Sequence, residues 1–548
     1  MIPKPARSRN AVKKTTTVTR RARGSGARAE VKARVLRYQM TIARSDPRWT
    51  LAVAILGSTM PFLDGTVVSV ALPVMQRQLG VTVDLAQWVV EAYSLFLASL
   101  VLVGGALGDH LGRRRVFSAG TLLFAAASMA CGLAPSAVPL IVARAVQGVG
   151  AALLVPGSLA LISAAYCQKE RGAAIGTWSA SSAIMSAIGP WAGGWIVGHG
   201  SWRWIFFFNV PVATVAIVLA WWHVDETRDD AADPRMDWIG ATLATVGLGV
   251  VVYALLEARP RLLIAGIAAL VAFVVVEGKQ PAPMMPLSLF RQRTFAGTNL
   301  LTLFLYAGLS GGLFFVPFDL IQVQGYGPAA AGASFMPLVL LVSVMSRWAG
   351  GLTARWGPRP LLIVGPLVAA VGFGLLAVPA IGGSYWATFF PGMVVLGVGM
   401  GLTVAPLTTA VMASVAAQHA GVASGINNAV ARAAGLLAVA ALGLVVVERF
   451  NRVLDGHLTR LALPASLART VDAQRGRLAG ADFADLGDTA LRHALRQAFA
   501  EAYVAGVRVS LLICAGLGVL GALSAAWLVE STMAGVRPER RPDPRPGR

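Results

Sequence analysis

Runs of about twenty apolar residues, broken by short polar or glycine-rich turns, recur along most of this chain. Fourteen are read, near 50–73, 87–108, 115–134, 138–163, 172–197, 203–222, 237–256, 261–277, 295–318, 332–353, 360–381, 385–408, 421–447 and 505–529. At a rise of about 1.5 Å per residue, each run is long enough as a helix to cross the roughly 30 Å hydrocarbon layer of a bilayer. The pattern predicts an all-α integral membrane protein. Two stretches break the rhythm. "HVDETRDDAADPRMD" (223–237) is acidic, and 448–504 is mixed in charge. Within the latter, "DTALRHALRQAFAEAY" carries apolar residues at helical spacing, which predicts an amphipathic helix lying over the outer face.

Composition agrees. The chain is 56% apolar and 13% charged, about half the charge fraction of a soluble protein. The net charge is +21, and residues 1–48 hold fourteen Lys and Arg against Glu30 and Asp46, a net of +12. A basic tail can bind nucleic acid, but beside a membrane span it reads as a disordered segment retained in the cytoplasm, so no nucleic-acid partner is expected. The tail has no apolar core and is not a secretory signal. Met40 offers a shorter start, which makes residues 1–39 dispensable. With the tail inside, inner loops carry Arg113, Arg114, Arg115, Lys169, Arg171, Arg228, Arg235, Lys279, Arg291, Arg293, Arg355 and Arg359, whereas short outer loops carry only Arg77, Arg259 and Arg261. An even number of spans then puts both termini in the cytoplasm. Cys131, Cys167 and Cys514 form no disulfide or CxxC pattern, and six scattered histidines have no zinc spacing, so neither metal nor cofactor is expected.

The chain repeats weakly. "GALGDHLGRRR" (105–115) returns as "GLTARWGPRP" (351–360), and "GVGAALLVP" (148–156) as "GVGMGLTVAP" (397–406). Duplicated halves around a central site are typical of secondary transporters. The expected organisation is a basic tail (1–48), a six-helix bundle (49–222), an acidic linker with two inserted helices (223–294), a second six-helix bundle (295–529) containing the outer loop 448–504, and a tail (530–548).

Ionisable residues inside apolar runs are costly and mark function. Asp64 lies within "TMPFLDGTVVSVALPVM", Glu91 a few residues into the second run, and Arg144 a turn or two into the fourth. All three are expected at comparable depth in the outer half of the first bundle. A carboxyl balanced between burial, which raises its pKa, and a nearby arginine, which lowers it, is suited to gaining and losing a proton. A static ion pair is the plainer alternative. In "GDHLGRRR", Gly112 permits a tight turn. Asp109 opposes the dipole at a helix C-terminus, so a partner in the other half is expected. "GTWSASSAIMSAIGPWAGGW" places Gly189, Pro190, Gly193 and Gly194 in a membrane helix, predicting a kinked, close-packed seam.

Together these stretches resemble the major facilitator superfamily, specifically its fourteen-helix drug:proton antiporters, over roughly residues 50–530. "LDGTVVSVALP" is similar to the first-span signature through Asp64, Thr66 and Pro73, with Ser69 in place of the usual Asn. "GALGDHLGRRR" resembles the loop 2–3 motif, with His110 for Arg. "RAVQGVGAA" matches through Arg144, Gln147, Gly148 and Gly150. "GPWAGG" matches the end of the antiporter motif; Gly176 also matches, while Met185 occupies a glycine position. "WRWIFFFNVP" (202–211) is also typical of this branch. The resemblance implies two six-helix bundles plus two linker helices in a bacterial inner membrane. It implies alternating access without an enzymatic step, driven by the proton gradient and exporting drug-like or lipophilic compounds, often cationic, from a functional monomer. By the same resemblance Asp64 and Arg144 serve coupling, and Asp109 and Arg113 an inner gate. A proton-coupled metabolite symporter is the alternative on the same fold, and a non-transporting membrane sensor or scaffold the alternative from another class.

Overall fold

The structure is a computed structural model that describes residues 46–228, 237–281, 283–415, 420–461, 463–484 and 486–530. The expectations for the basic tail, for a start at Met40 and for the tail 530–548 fall almost wholly outside the described residues.

Among the described residues, fourteen long helices carry the fold: α1 Pro47–Leu79, α2 Val83–Leu111, α3 Arg113–Leu133, α4 Ala137–Ala165, α5 Gln168–His199, α6 Trp204–His223, α7 Trp238–Leu256, α8 Pro260–Glu277, α9 Arg293–Val323, α10 Pro328–Thr353, α11 Arg359–Leu376, α12 Phe389–Ala413, α13 Ala420–Leu461 and α14 Thr489–Leu528. All but α5 are long and apolar enough to cross a membrane, α13 counted from Val422. The 32-residue α5 misses that standard because its middle is rich in Ser and Gly, residues that favour close helix contact over lipid exposure. Local chemistry sets the ends. Asp46 caps α1, accepting from the Arg48 backbone N–H at 3.0 Å, and Pro47 occupies the first turn. Gly80, at φ +66°, terminates that helix.

Helices α1–α6 pack among themselves, chiefly α2 and α3 on α4, and α5 and α6 on α1; α9–α14 do the same, with α10 and α11 on α12, and α13 and α14 on α9. The sequence repeat occupies matching places. A Cβ on Gly150 of α4 would stand 2.6 Å from the Phe124 nitrogen of α3, and Gly148 abuts the Tyr93 carbonyl of α2. In the second copy, Gly399 of α12 abuts the Ala369 nitrogen of α11, and a Cβ on Gly397 would stand 2.8 Å from the Leu338 carbonyl of α10. The α7–α8 hairpin lies against α2 and α13, where Leu248 and Val252 meet Leu95, Leu436 and Ala440.

One end of the molecule holds the α1–α2 turn and residues 463–484 and 486–488 (the loop end); the other holds the start of α1 and the α2–α3 turn (the tail end). Two expectations are corrected at the loop end. The amphipathic stretch 488–503 is not a separate helix on the surface. It forms the first turns of the 40-residue α14, because no glycine or proline separates it from the apolar run. Helix α13 likewise runs on to Leu461, and Phe450, Phe483 and Phe499 pack the two extensions together. Helix α1 also continues to Leu79, so Asp64 sits near its midpoint rather than in its outer half.

The halves meet at the loop end. Gln76 Nε2 donates to the Arg477 carbonyl at 3.1 Å, Gln322 Nε2 of α9 donates to Gln76 Oε1 at 2.8 Å, and Gln87 Nε2 of α2 donates to the Val439 carbonyl of α13 at 3.3 Å. Segment 475–480 therefore lies across both halves.

Candidate functional site

Asp64 of α1 and Arg144 of α4 form a buried ion pair, exposed by only 3% and 1%. Arg144 Nη1 donates to Asp64 Oδ2 and, at 2.7 Å, to Gln147 Oε1. Gln147 Nε2 returns a bond to Asp64 Oδ1 at 3.1 Å. Arg144 Nε donates to the Val89 carbonyl of α2 at 2.9 Å, and its guanidinium carbon stands 4.3 Å from the centroid of the Tyr93 ring. The Tyr93 hydroxyl donates to the Pro61 carbonyl of α1 at 3.4 Å. Both carboxylate oxygens are thus satisfied, the condition under which an ion pair is tolerated in a low-dielectric interior.

The same geometry gives the cluster chemistry. A proton on Asp64 removes its charge and leaves the Arg144 cation with only dipolar partners. Protonation is therefore coupled to the packing of α1, α2 and α4. Gln147 completes this triad. It was quoted in the sequence as part of a motif, but its bond to Asp64 depends on how α1 docks on α4.

Glu91 does not join the cluster. It is 1% exposed and neither carboxylate oxygen has a hydrogen-bond partner. It lies at a comparable depth, as expected, between Val89 and Tyr93, which both reach Arg144, but on another face of α2. Position 91 shares a helix face with Gln87 and Leu95, which meet α13, whereas Tyr93 and Val89 address Arg144.

At the tail end, Asp109 pairs with Arg113, one turn on, at 2.8 Å, and is 37% exposed. The partner expected in the other half does not appear among the described residues; Arg113, one turn along its own half, takes that place. Glu226, from the acidic linker, takes the place at this turn. Its Oε1 and Oε2 accept from the backbone nitrogens of Arg114 and Arg115 at 3.0 and 3.1 Å, capping α3. Gly112 has φ +110°, and a Cβ there would stand 2.6 Å from Glu226 Oε1, so both conformation and space require glycine. The acidic linker alone gave no sign of which acid would dock.

The α5 glycines form a seam between α1 and α10. Gly189 abuts Thr66, a Cβ on Gly193 would stand 2.9 Å from Val67 Cγ1, and Gly194 abuts the Pro328 carbonyl. Gly332 of α10 in turn abuts the Pro190 carbonyl. Gly176 is outside this seam: it is exposed with open space around it, since it lies near the tail end where α5 leaves its neighbours. The sequence also missed Asp319, 6% exposed in a π-helical turn (Asp319–Val323) closing α9, where it accepts from Gln324 Nε2 at 3.2 Å.

Comparison with known proteins places this geometry. Residues 54–439 match the family model described as Major Facilitator Superfamily. The puromycin resistance protein of Streptomyces alboniger is 36% identical over 78% of this chain and 86% of its own length. The multidrug resistance protein Stp of Mycobacterium tuberculosis is 34% identical over 85% and 88%. The tetracenomycin C resistance and export protein of Streptomyces glaucescens is 29% identical over 91% and 95%. Among solved structures, a bacterial homolog of the human lysosomal transporter Spinster superposes with a TM-score of 0.66 at 16% identity, over 88% of this chain and 97% of that one, a likeness of fold. With the family match spanning most of the helices and two of these relatives above the identity at which families are secure, the chain belongs to the Major Facilitator Superfamily.

Proposed function

We propose that this chain is a proton-driven antiporter that exports drug-like or lipophilic compounds by alternating access, working as a monomer in a bacterial inner membrane with both termini in the cytoplasm. The observation that carries the reading is the Asp64–Arg144–Gln147 triad: a carboxylate enclosed in the first bundle whose charge state sets the bonding of three helices. The names of the relatives supply the direction and the kind of cargo.

In this reading the loop end faces outward and is closed by the Gln76, Gln87 and Gln322 bonds and by the α5–α10 seam. A proton reaching Asp64 weakens its hold on Arg144 and favours rearrangement of the halves. Asp109, Gly112 and Arg113, with Glu226, form the inner gate. When the halves close at the tail end, Asp109 exchanges Arg113 for a partner across the gap. The energy source is the proton gradient and no cofactor takes part. The test is efflux of a dye panel from cells with and without the protein, repeated after collapse of the proton gradient. Retention of dye that falls only when the protein is present, and only while the gradient stands, is the expected result. Equal retention in both cells overturns the reading.

A further inference from the structure

Arg144, the cation inside the first bundle, has its anion in Asp64, whereas Arg432 in the second half has no ion pair among the described residues. Arg432 lies on α13, on the face turned to α2. That orientation follows from the bond between Gln87 and the Val439 carbonyl, seven residues further along α13, and from the contact of Gly425, seven residues earlier, with Leu102. Its Nε is buried without a hydrogen-bond partner, and no ion pair to it occurs among the described residues. It interacts electrostatically with Tyr93, whose ring stacks on Arg144. The surroundings on α13 are polar: Asn427 Nδ2 donates to Thr302 Oγ1 at 2.7 Å and to Asn299 Oδ1 at 3.2 Å.

A guanidinium inside a membrane span cannot discharge itself by losing a proton, as a carboxylate does by gaining one. It is retained inside a membrane only if an anion meets it for part of the cycle. Asp64 is not free to do so, since Arg144 and Gln147 occupy both its oxygens. We propose that Arg432 recognises the substrate: beside Tyr93 it takes a lipophilic compound bearing an acidic oxygen, a carboxylate or phenolate, which pairs with this guanidinium. The flat donor edge of arginine suits such groups bidentately, and the Tyr93 ring offers a stacking face for an attached aromatic system. The inference rests on the exporter reading and specifies its cargo.

The experiment compares wild-type protein with Arg432→Gln, Arg432→Lys and Glu91→Gln, each full length and reconstituted in proteoliposomes. Transport of fluorescein, a lipophilic anion, and ethidium, a lipophilic cation, is measured under an imposed proton gradient. Loss of one charge-assisted pair predicts a roughly tenfold fall in fluorescein transport for Arg432→Gln, with partial rescue by lysine and ethidium changed less than about twofold. Glu91→Gln leaves the fluorescein preference in place. An equal fall for both dyes in Arg432→Gln, or the same loss in Glu91→Gln, makes Arg432 an internal structural or gating charge and overturns the proposal. Wild-type protein that moves ethidium but not fluorescein overturns it while leaving the exporter reading standing. Wild-type protein that moves neither dye overturns both.

Discussion

The Asp64 carboxylate and the Arg144 guanidinium, eighty positions apart in sequence, meet inside the first bundle with Gln147 bonded to both. Asp64→Asn preserves shape but leaves the Arg144 charge without an anion. Removing one partner of a buried pair costs about 3–5 kcal/mol, so we expect a lower melting temperature together with loss of gradient-driven efflux. Adding Arg144→Gln removes the orphaned cation. The double variant should regain much of the stability and none of the transport. Transport that returns with stability would reduce the pair to a packing device.

Gly194→Val should act on closure at the loop end. The added side chain meets the Pro328 carbonyl where α5 and α10 touch backbone to backbone. Overpacking of such a contact costs about 1–3 kcal/mol, and separation of the two helices relieves it. Faster labelling of a cysteine placed at Thr82, which Gly476 covers at the loop end, is the expected signal in folded protein. The same substitution at Gly176, where space is open, should leave labelling unchanged.

Gly112→Ala and Glu226→Gln address the capped turn at the tail end. The first forces a Cβ into a left-handed backbone and against Glu226, a strain of about 1–3 kcal/mol. The second keeps the shape but weakens the cap on the Arg114 and Arg115 nitrogens, for a loss of about 1 kcal/mol. Thermal denaturation should order the variants as wild type, then Glu226→Gln, then Gly112→Ala. A Gly112→Ala melt equal to wild type would contradict the geometry at this turn.

Removal of residues 1–39 should leave insertion and transport intact. The N-terminal cap of α1 is supplied by Asp46 itself, accepting from the Arg48 nitrogen, and Arg44 and Arg48 remain to anchor the span. Loss of folded protein on truncation would show that the tail is part of the fold.

The sequence by itself determined the class of molecule and most of its helices, because a bilayer admits helices only where some twenty consecutive residues are apolar. It also marked Asp64 and Arg144, since any charge inside such a run is conspicuous. Tertiary structure alone decided their company. Gln147 entered the triad because α4 docks on α1 at that height. Glu91 was left out because its face of α2 turns to α13. Asp109 found Arg113 within its own half, while Glu226 came in from the linker to cap α3. Arg432 lies inside the apolar run 421–447, but nothing in the sequence says which residues surround it. Its isolation is a relation between α13 and α2, and hydropathy along a single helix carries no record of which neighbour that helix will face.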